Sequence, residues 1–160
     1  MKIKIGILSD THLHRVTREF KDIYEHYLSD VDIILHAGDF VSADVVEFLS
    51  KNEFHGVHGN MDPVDVIEML PRKKVIELGP LRLGLIHGSG PSAGLEDRIW
   101  AEFQNMDVII YGHSHRAVKH IREGVLLFNP GTAVGYDFSR KNTLGFLEIG
   151  DTINGTIINI

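Results

Sequence analysis

The sequence predicts an α/β fold, a two-sheet mixed β-sandwich flanked by helices, and three observations lead there. The first half alternates strand-like with helix-like patterns, the rhythm of parallel βαβ units joined by right-handed crossovers. The second half is richer in strands, with turn signals at Gly79-Pro80, Glu123-Gly124 and Gly150-Asp151. And 160 residues, 43% hydrophobic and 24% charged, make one ordinary domain over 1–160 with a core of its own. No repeat, low-complexity tract or linker interrupts it.

The elements follow in order. Lys2 to Leu8 alternates lysine with isoleucine and then turns fully apolar, as a central strand does. Arg15 to Leu28 sets Val16, Phe20, Ile23, Tyr24 and Tyr27 at helical spacing. Val31 to Leu35 is a second apolar strand, Ala43 to Leu49 a short helix, and Phe54 to Val57 a third strand. Lys74 to Leu78 and Leu81 to Ile86 flank Gly79-Pro80, and Gly94 to Gln104 is a helix ending before the strand Val108 to Tyr111. Arg116 to Ile121, Val125 to Phe128, Leu144 to Ile149 and Thr152 to Ile160 are strands expected to close the chain as a meander.

A net charge of −6 argues against a protein built to grip long DNA or RNA, which normally shows a basic face. Small anions remain open, because bound divalent cations would reverse the local field. With no cysteine there is neither a disulfide nor a thiolate site, so the ten histidines must act with carboxylates and amides, a donor set for Mn, Fe, Ni, Co or Zn. The first residues lack a signal-peptide layout and no apolar run is long enough for a membrane, so a cytoplasmic location is expected.

The polar exceptions fall where strands end, which in an α/β sheet is where ligands bind. They are Asp10-Thr11-His12, His36-Ala37-Gly38-Asp39, His58-Gly59-Asn60-Met61-Asp62, His87-Gly88 and Gly112-His113-Ser114-His115. Residues two apart in extended backbone point the same way, so Asp10 with His12, and His113 with His115, are expected to converge. Glycine before Asp39, Asn60 and His113 permits a tight turn and close backbone approach. A carboxylate such as Asp39 can bridge two cations at the separation that phosphoryl chemistry uses. Alone, Asp-x-His, Gly-Asp and Gly-Asn are ordinary strand-end and turn chemistry; Gly-His-Ser-His is more specific. Five such motifs in order, each at a strand end, exceed what turn chemistry explains.

With those motifs the chain resembles the calcineurin-like metallophosphoesterase superfamily over essentially its whole length. Its size, Leu35-His36-Ala37-Gly38-Asp39 and Asn129-Pro130-Gly131-Thr132 resemble the small YfcE-type phosphodiesterases, a group that includes the retromer subunit vacuolar protein sorting 29. The resemblance implies a four-layer α/β/β/α fold and two divalent metal ions, Mn, Ni, Co, Fe or Zn, with manganese expected to serve best in assays. It implies one metal held by Asp10, His12, Asp39 and His115, and a second by Asp39, Asn60, His87 and His113, with a hydroxide between them attacking phosphorus in line. Asp39, Asn60 and His113 are the residues expected to carry catalysis.

One departure is informative. Many relatives carry His where this chain has Met61, and that imidazole is implied to protonate the leaving oxygen or steady the transition state; methionine donates no proton. Small diesters or activated esters are therefore favoured over alkyl monoesters. From the resemblance, methionine or cysteine at this place is usual among the YfcE-type enzymes, and Asp62 is left to orient another group or a water.

Other residues are weaker candidates. His14 and His58 are candidate substrate contacts, His36 a strand-end hydrogen-bonding residue, and His26, His55 and His120 structural or exposed. Ser89, Gly90 and Ser92 follow His87 in a flexible loop that suggests a lid or a substrate contact, and Asn129 to Thr132 a turn or a backbone lining of the site. The main rival to a hydrolase is a protein-binding scaffold of the retromer-subunit type, and a further one is a nuclease of the superfamily. A scaffold is free to lose ligands, and none is lost here; a nuclease would need a gripping domain or basic patch. The expected partners are a small phosphodiester and, from the resemblance, a second copy of the chain in a homodimer or larger homo-oligomer. Neither long nucleic acid nor a membrane is expected.

Overall fold

The computed structural model describes residues 2–134 and 141–160. The strands are β1 (Ile3–Leu8), β2 (Ile33–His36), β3 (Phe54–Gly56), β4 (Lys73–Leu78), β5 (Leu81–Ile86), β6 (Val108–Ile110), β7 (Val118–Arg122), β8 (Val125–Asn129), β9 (Thr143–Ile149) and β10 (Ile153–Asn159). The helices are α1 (Arg18–Ile23), which runs on into a π turn at Tyr24–Leu28, then α2 (Ala43–Leu49), α3 (Val64–Met69) and α4 (Leu95–Trp100).

Two five-stranded sheets form, in the orders β10-β9-β1-β2-β3 and β4-β5-β6-β8-β7. In the first, β1, β2 and β3 run parallel while β9 is antiparallel to β1. In the second, β5, β6 and β8 run parallel and the edges are antiparallel. Strand side chains alternate between faces, and that alternation separates three apolar layers. Ile5, Ile7, Ile33 and Leu35 meet Leu83, Leu85, Val108, Ile110 and Phe128 between the sheets. Leu8 and Ile34, facing the other way, pack on Phe20 and Leu28 and on Val45, Val46 and Leu49 of α2. Ile86, Ile109 and Leu127 pack on Leu95 and Ile99 of α4. The result is an α/β/β/α sandwich in which the central strands are apolar on both faces.

Several expectations shift. The first helix starts at Arg18 rather than Arg15, because Thr17 adopts extended backbone and its hydroxyl caps the N–H of Phe20 at 3.1 Å. The fourth starts at Leu95, since Gly94 sits at φ 77 just before it, and ends at Trp100 rather than Gln104. β7 lies at Val118–Arg122 rather than Arg116 to Ile121. Helix α3 was not anticipated. The closing strands do not form one meander, since the β7–β8 hairpin belongs to one sheet and the β9–β10 hairpin to the other. Among the described residues, no helix is long and apolar enough to cross a membrane.

Candidate metal centre

The carboxyl ends of β1, β2 and β3 from one sheet and of β5 and β6 from the other deliver their motifs to one rim. Backbone bonding continues past the strands: Asp10 N donates to Gly38 O at 2.9 Å, His12 N to Asp39 O at 3.1 Å, and Gly112 N to His87 O at 3.1 Å. Two glycines allow the loops to meet. A Cβ on Gly59 would collide with Asp39 Oδ1, and one on Gly112 would collide with Ser9 Oγ and lie 2.7 Å from Asp10 Oδ2.

Asp10 and His12 do converge, while His115 joins them and His113 turns to Asn60 and His87, and none of this comes from strand alternation. Asp10 (φ 54), His12 (φ 47), Asp39 (φ 61), His113 (φ 72) and His115 (φ 62) all adopt positive φ. Left-handed backbone is uncommon for residues with a Cβ, although Asp and His tolerate it better than most. Here it turns each side chain in over the end of the sandwich, a placement that extended chain would not produce.

The two carboxylates are built alike. Asp10 Oδ2 accepts from Ser9 Oγ (2.6 Å) and from His113 N (3.0 Å), while its Oδ1 is buried without a hydrogen bond. That oxygen lies 3.3 Å from His115 Nε2, 3.7 Å from His87 Nε2 and 3.8 Å from His12 Nε2. Asp39 Oδ1 accepts from Met61 N at 2.8 Å, and Oδ2 lies 3.3 Å from His87 Nε2 and 3.6 Å from His12 Nε2. In each, one oxygen is tethered to backbone and the other is aimed at imidazoles. Burial opposes ionisation of Asp10, but the imidazoles of His115 and His12, with His87 and Ser9, outweigh it and hold the carboxyl well below its usual range. Burial likewise opposes ionisation of Asp39, and His87 with the Met61 amide overcomes it.

The imidazoles are oriented from behind. His87 Nδ1 donates to Ala37 O at 2.7 Å, which leaves the Nε2 lone pair facing Asn60 Oδ1 at 2.9 Å. His113 Nε2 donates to Gly90 O at 2.7 Å, leaving Nδ1 facing the same Asn60 oxygen at 3.1 Å. Electron-rich atoms converging in this way fit a cation. Donors at about 2.1 Å from one ion stand roughly 3–3.5 Å apart, the spacing seen here. Two groups, Asp10/His12/His115 and Asp10/Asp39/His87, bring one ligand atom from each residue within 4.8 Å. All seven residues expected as ligands are therefore brought together, with Asp39 Oδ2 and Asp10 Oδ1 each lying between histidines of both halves.

Two fastenings were not read from the sequence. Asp62 accepts three backbone N–H groups, from Asp39 (3.0 Å), Val41 (2.7 Å) and Gly59 (2.8 Å), and so locks the Asp39 loop to the Asn60 turn. Burial, the largest influence, raises its pKa despite those donors. Asp62→Ala is expected to lower stability by about 3 kcal/mol, because three buried donors lose their acceptor. Urea melts that overlay those of the wild type would contradict this clamp. Asn129 does similar work: its Nδ2 donates to Gly112 O and Ser114 Oγ, both at 3.1 Å, and its Oδ1 accepts from Gly131 N. Asn129 to Thr132 thus carries a side-chain clamp on the Gly-His-Ser-His loop.

The remaining candidates separate. His36 is buried, accepts from Gly38 N at Nδ1 (3.1 Å), contacts Thr11 Oγ1 through Nε2 (3.1 Å) and stacks on Phe40. His14 is exposed, while His58 lines a cleft of about 230 Å³ beside Asn60 and His87. Met61 contributes its backbone to Asp39 and leaves its side chain 59% exposed at the rim. The segment after His87 is not a loose lid, since Arg98 ties down three of its carbonyls.

Comparison with known proteins finds relatives over most of the chain. A probable metallophosphoesterase of Methanocaldococcus jannaschii is 33% identical over 133 residues, 80% of this chain and 67% of that protein. A phosphodiesterase of the same organism is 32% identical over 160 residues, 91% of this chain and 93% of that protein. Vacuolar protein sorting 29 from Cryptosporidium parvum superposes with a TM-score of 0.77 over 99% of this chain and 98% of that one, at 18% identity, a likeness of fold. The calcineurin-like phosphoesterase superfamily domain matches residues 3–152, and the chain belongs to that family.

Proposed function

We propose that the protein is a dinuclear-metal-dependent phosphodiesterase that hydrolyses small phosphodiesters. The observation that carries this is the pair of carboxylates, each with one oxygen fixed by backbone N–H and the other directed at histidines from both sheets. In this reading Asp10, His12, Asp39 and His115 would hold one cation and Asp39, Asn60, His87 and His113 the other. When bound, the cations supply Lewis-acid stabilisation of the phosphoryl oxygens and acidify the attacking water. Manganese is the expected assay metal, and Ni, Co, Fe or Zn suit the same donors. The cleft beside Asn60 and His87 gives one arm of a small diester a place to lie. The phosphodiesterase relative supports the same class of reaction.

The chain's own residues set the limits of the chemistry. Neither the Met61 thioether nor its amide, already committed to Asp39, has a proton for the departing oxygen. The leaving group must therefore be acidic enough to depart unaided, which favours diesters with good leaving groups. Met61→His is expected to raise hydrolysis of phenyl phosphate, a monoester with a poor leaving group, about tenfold or more, with little change on bis-p-nitrophenyl phosphate. Equal changes on both esters would remove the missing-acid explanation.

A protein-binding scaffold on the same fold would not need seven donors kept in register, and that completeness favours the enzyme. The test is direct. Purified protein should bind two Mn²⁺ per chain and hydrolyse bis-p-nitrophenyl phosphate, and chelation should abolish the activity. Metal-loaded, folded protein inactive on a panel of diesters would overturn the catalytic reading.

A further inference from the structure

The segment from Ser89 to Gly94 joins the His87 motif to α4, and a single side chain organises it. Arg98, on α4, donates from Nε to Ser89 O at 2.9 Å, from Nη1 to Ala93 O at 3.1 Å and from Nη2 to Pro91 O. Alternate carbonyls thus turn inward around the guanidinium. The carbonyl of Gly90, between them, is the one that accepts from His113 Nε2 at 2.7 Å. The wrapping is close: Gly90 and Gly94 take positive φ, and a Cβ on Gly94 would lie 3.1 Å from Nη1. The helix carrying Arg98 is itself anchored, through Glu96 to the Tyr111 hydroxyl at 2.9 Å and to His120 Nε2, and through Asp97 to Arg122.

We propose that Arg98 is a positioning residue for the metal centre, which acts by holding the Gly90 carbonyl on His113. A carbonyl only accepts, so it keeps the proton on Nε2 and leaves Nδ1 bare and directed at Asn60. Three hydrogen bonds from one planar cation fix the loop in a way that a lysine ammonium cannot reproduce. Without them, the 89–94 backbone has no reason to keep Gly90 O over the ring, and His113 exchanges between tautomers and rotamers. The Asn60–His87–His113 half then weakens, while the half built around Asp10 is less affected. The glycines follow from the same geometry, since the chain must curl tightly enough to present three carbonyls to one group.

This inference rests on His113 being a ligand, and its test separates the two. Wild-type protein, Arg98→Ala and Arg98→Lys are titrated with Mn²⁺ by calorimetry, and the His113 ring nitrogens are followed by ¹⁵N NMR in metal-free protein. The wild type should take up two ions and show an Nε2–H tautomer at His113. Both variants should lose about ten- to a hundredfold affinity at one ion and only a few-fold at the other, with an averaged His113 signal. Millimolar guanidinium should restore Arg98→Ala on both readouts, which a general loss of folding would not allow. Two-ion binding with unchanged affinities and tautomer in Arg98→Lys would overturn the proposal and leave the ligand reading intact. A wild type that binds one ion, or none, would overturn both.

Discussion

Asp39→Ala should abolish turnover of bis-p-nitrophenyl phosphate, by on the order of a thousandfold or more, while the protein still folds. Asp39 Oδ1 anchors the Met61 amide, and Oδ2 stands between His87 and His12. Its removal costs the tether that positions the Asn60 turn and, in the proposed reading, the shared ligand. Asp39→Asn separates these losses, because an amide oxygen can still accept from Met61 N but brings no charge between the histidines. Both variants should bind fewer than two Mn²⁺ per chain by calorimetry. Activity within tenfold of the wild type in either would rule out Asp39 as the shared ligand.

The second large effect concerns acid stability. Burial, the largest influence, lowers the pKa of His36 to about 3; His87 adds to it, and Asp10 and Asp39 oppose it. Its nitrogens are committed to Gly38 N and Thr11, so a second ring proton has no partner. In the unfolded chain the same ring titrates near 6.5. Between those values the unfolded state binds a proton that the native state refuses. Stability from this group is therefore complete above pH 6.5 and is lost as pH falls toward 3, in all about 4–5 kcal/mol, with roughly 2–3 kcal/mol gone by pH 4.5. His87 acts in the opposite sense, its pKa raised by Asp39 and Asp10 against the pull of burial. The comparison is thus of slopes. Urea midpoints of metal-free wild type should fall more steeply from pH 7 to 4.5 than those of His36→Asn, which starts less stable. Parallel slopes would show that His36 is not the acid-labile group.

What the sequence made legible, and what it did not, follows from periodicity. The strands feeding the site were readable because both faces are buried and the apolar runs stop abruptly at Asp10, His36 and His87. Helix α3 was not, because only Val66 of its six residues is buried while Val64, Ile67 and Met69 are exposed, leaving no apolar stripe. The residues gathered at this rim were readable from side-chain type and order, yet the reason offered for their gathering was wrong. Alternation assumes extended chain, and nothing in Asp-Thr-His announces two left-handed residues. Asp62 and Asn129 were missed as clamps for a related reason. Their partners are backbone groups of distant loops, and a backbone group carries no sequence signal. Arg98 had no signal either, beyond the glycines it requires.

The five left-handed residues at this rim bear on how this molecule could drift. Each holds a conformation disfavoured by about 1–2 kcal/mol for a residue with a Cβ, and glycine would relieve it. Selection for folding alone would favour glycine wherever that relief exceeds what the side chain holds in place, while at Asp10 and Asp39 the N–H groups of His113 and Met61, which would lose their acceptors, oppose the exchange. A descendant that had given up hydrolysis for some other employment should lose the histidines at 12, 113 and 115 before the two aspartates that fasten backbone, with the strands behind them untouched.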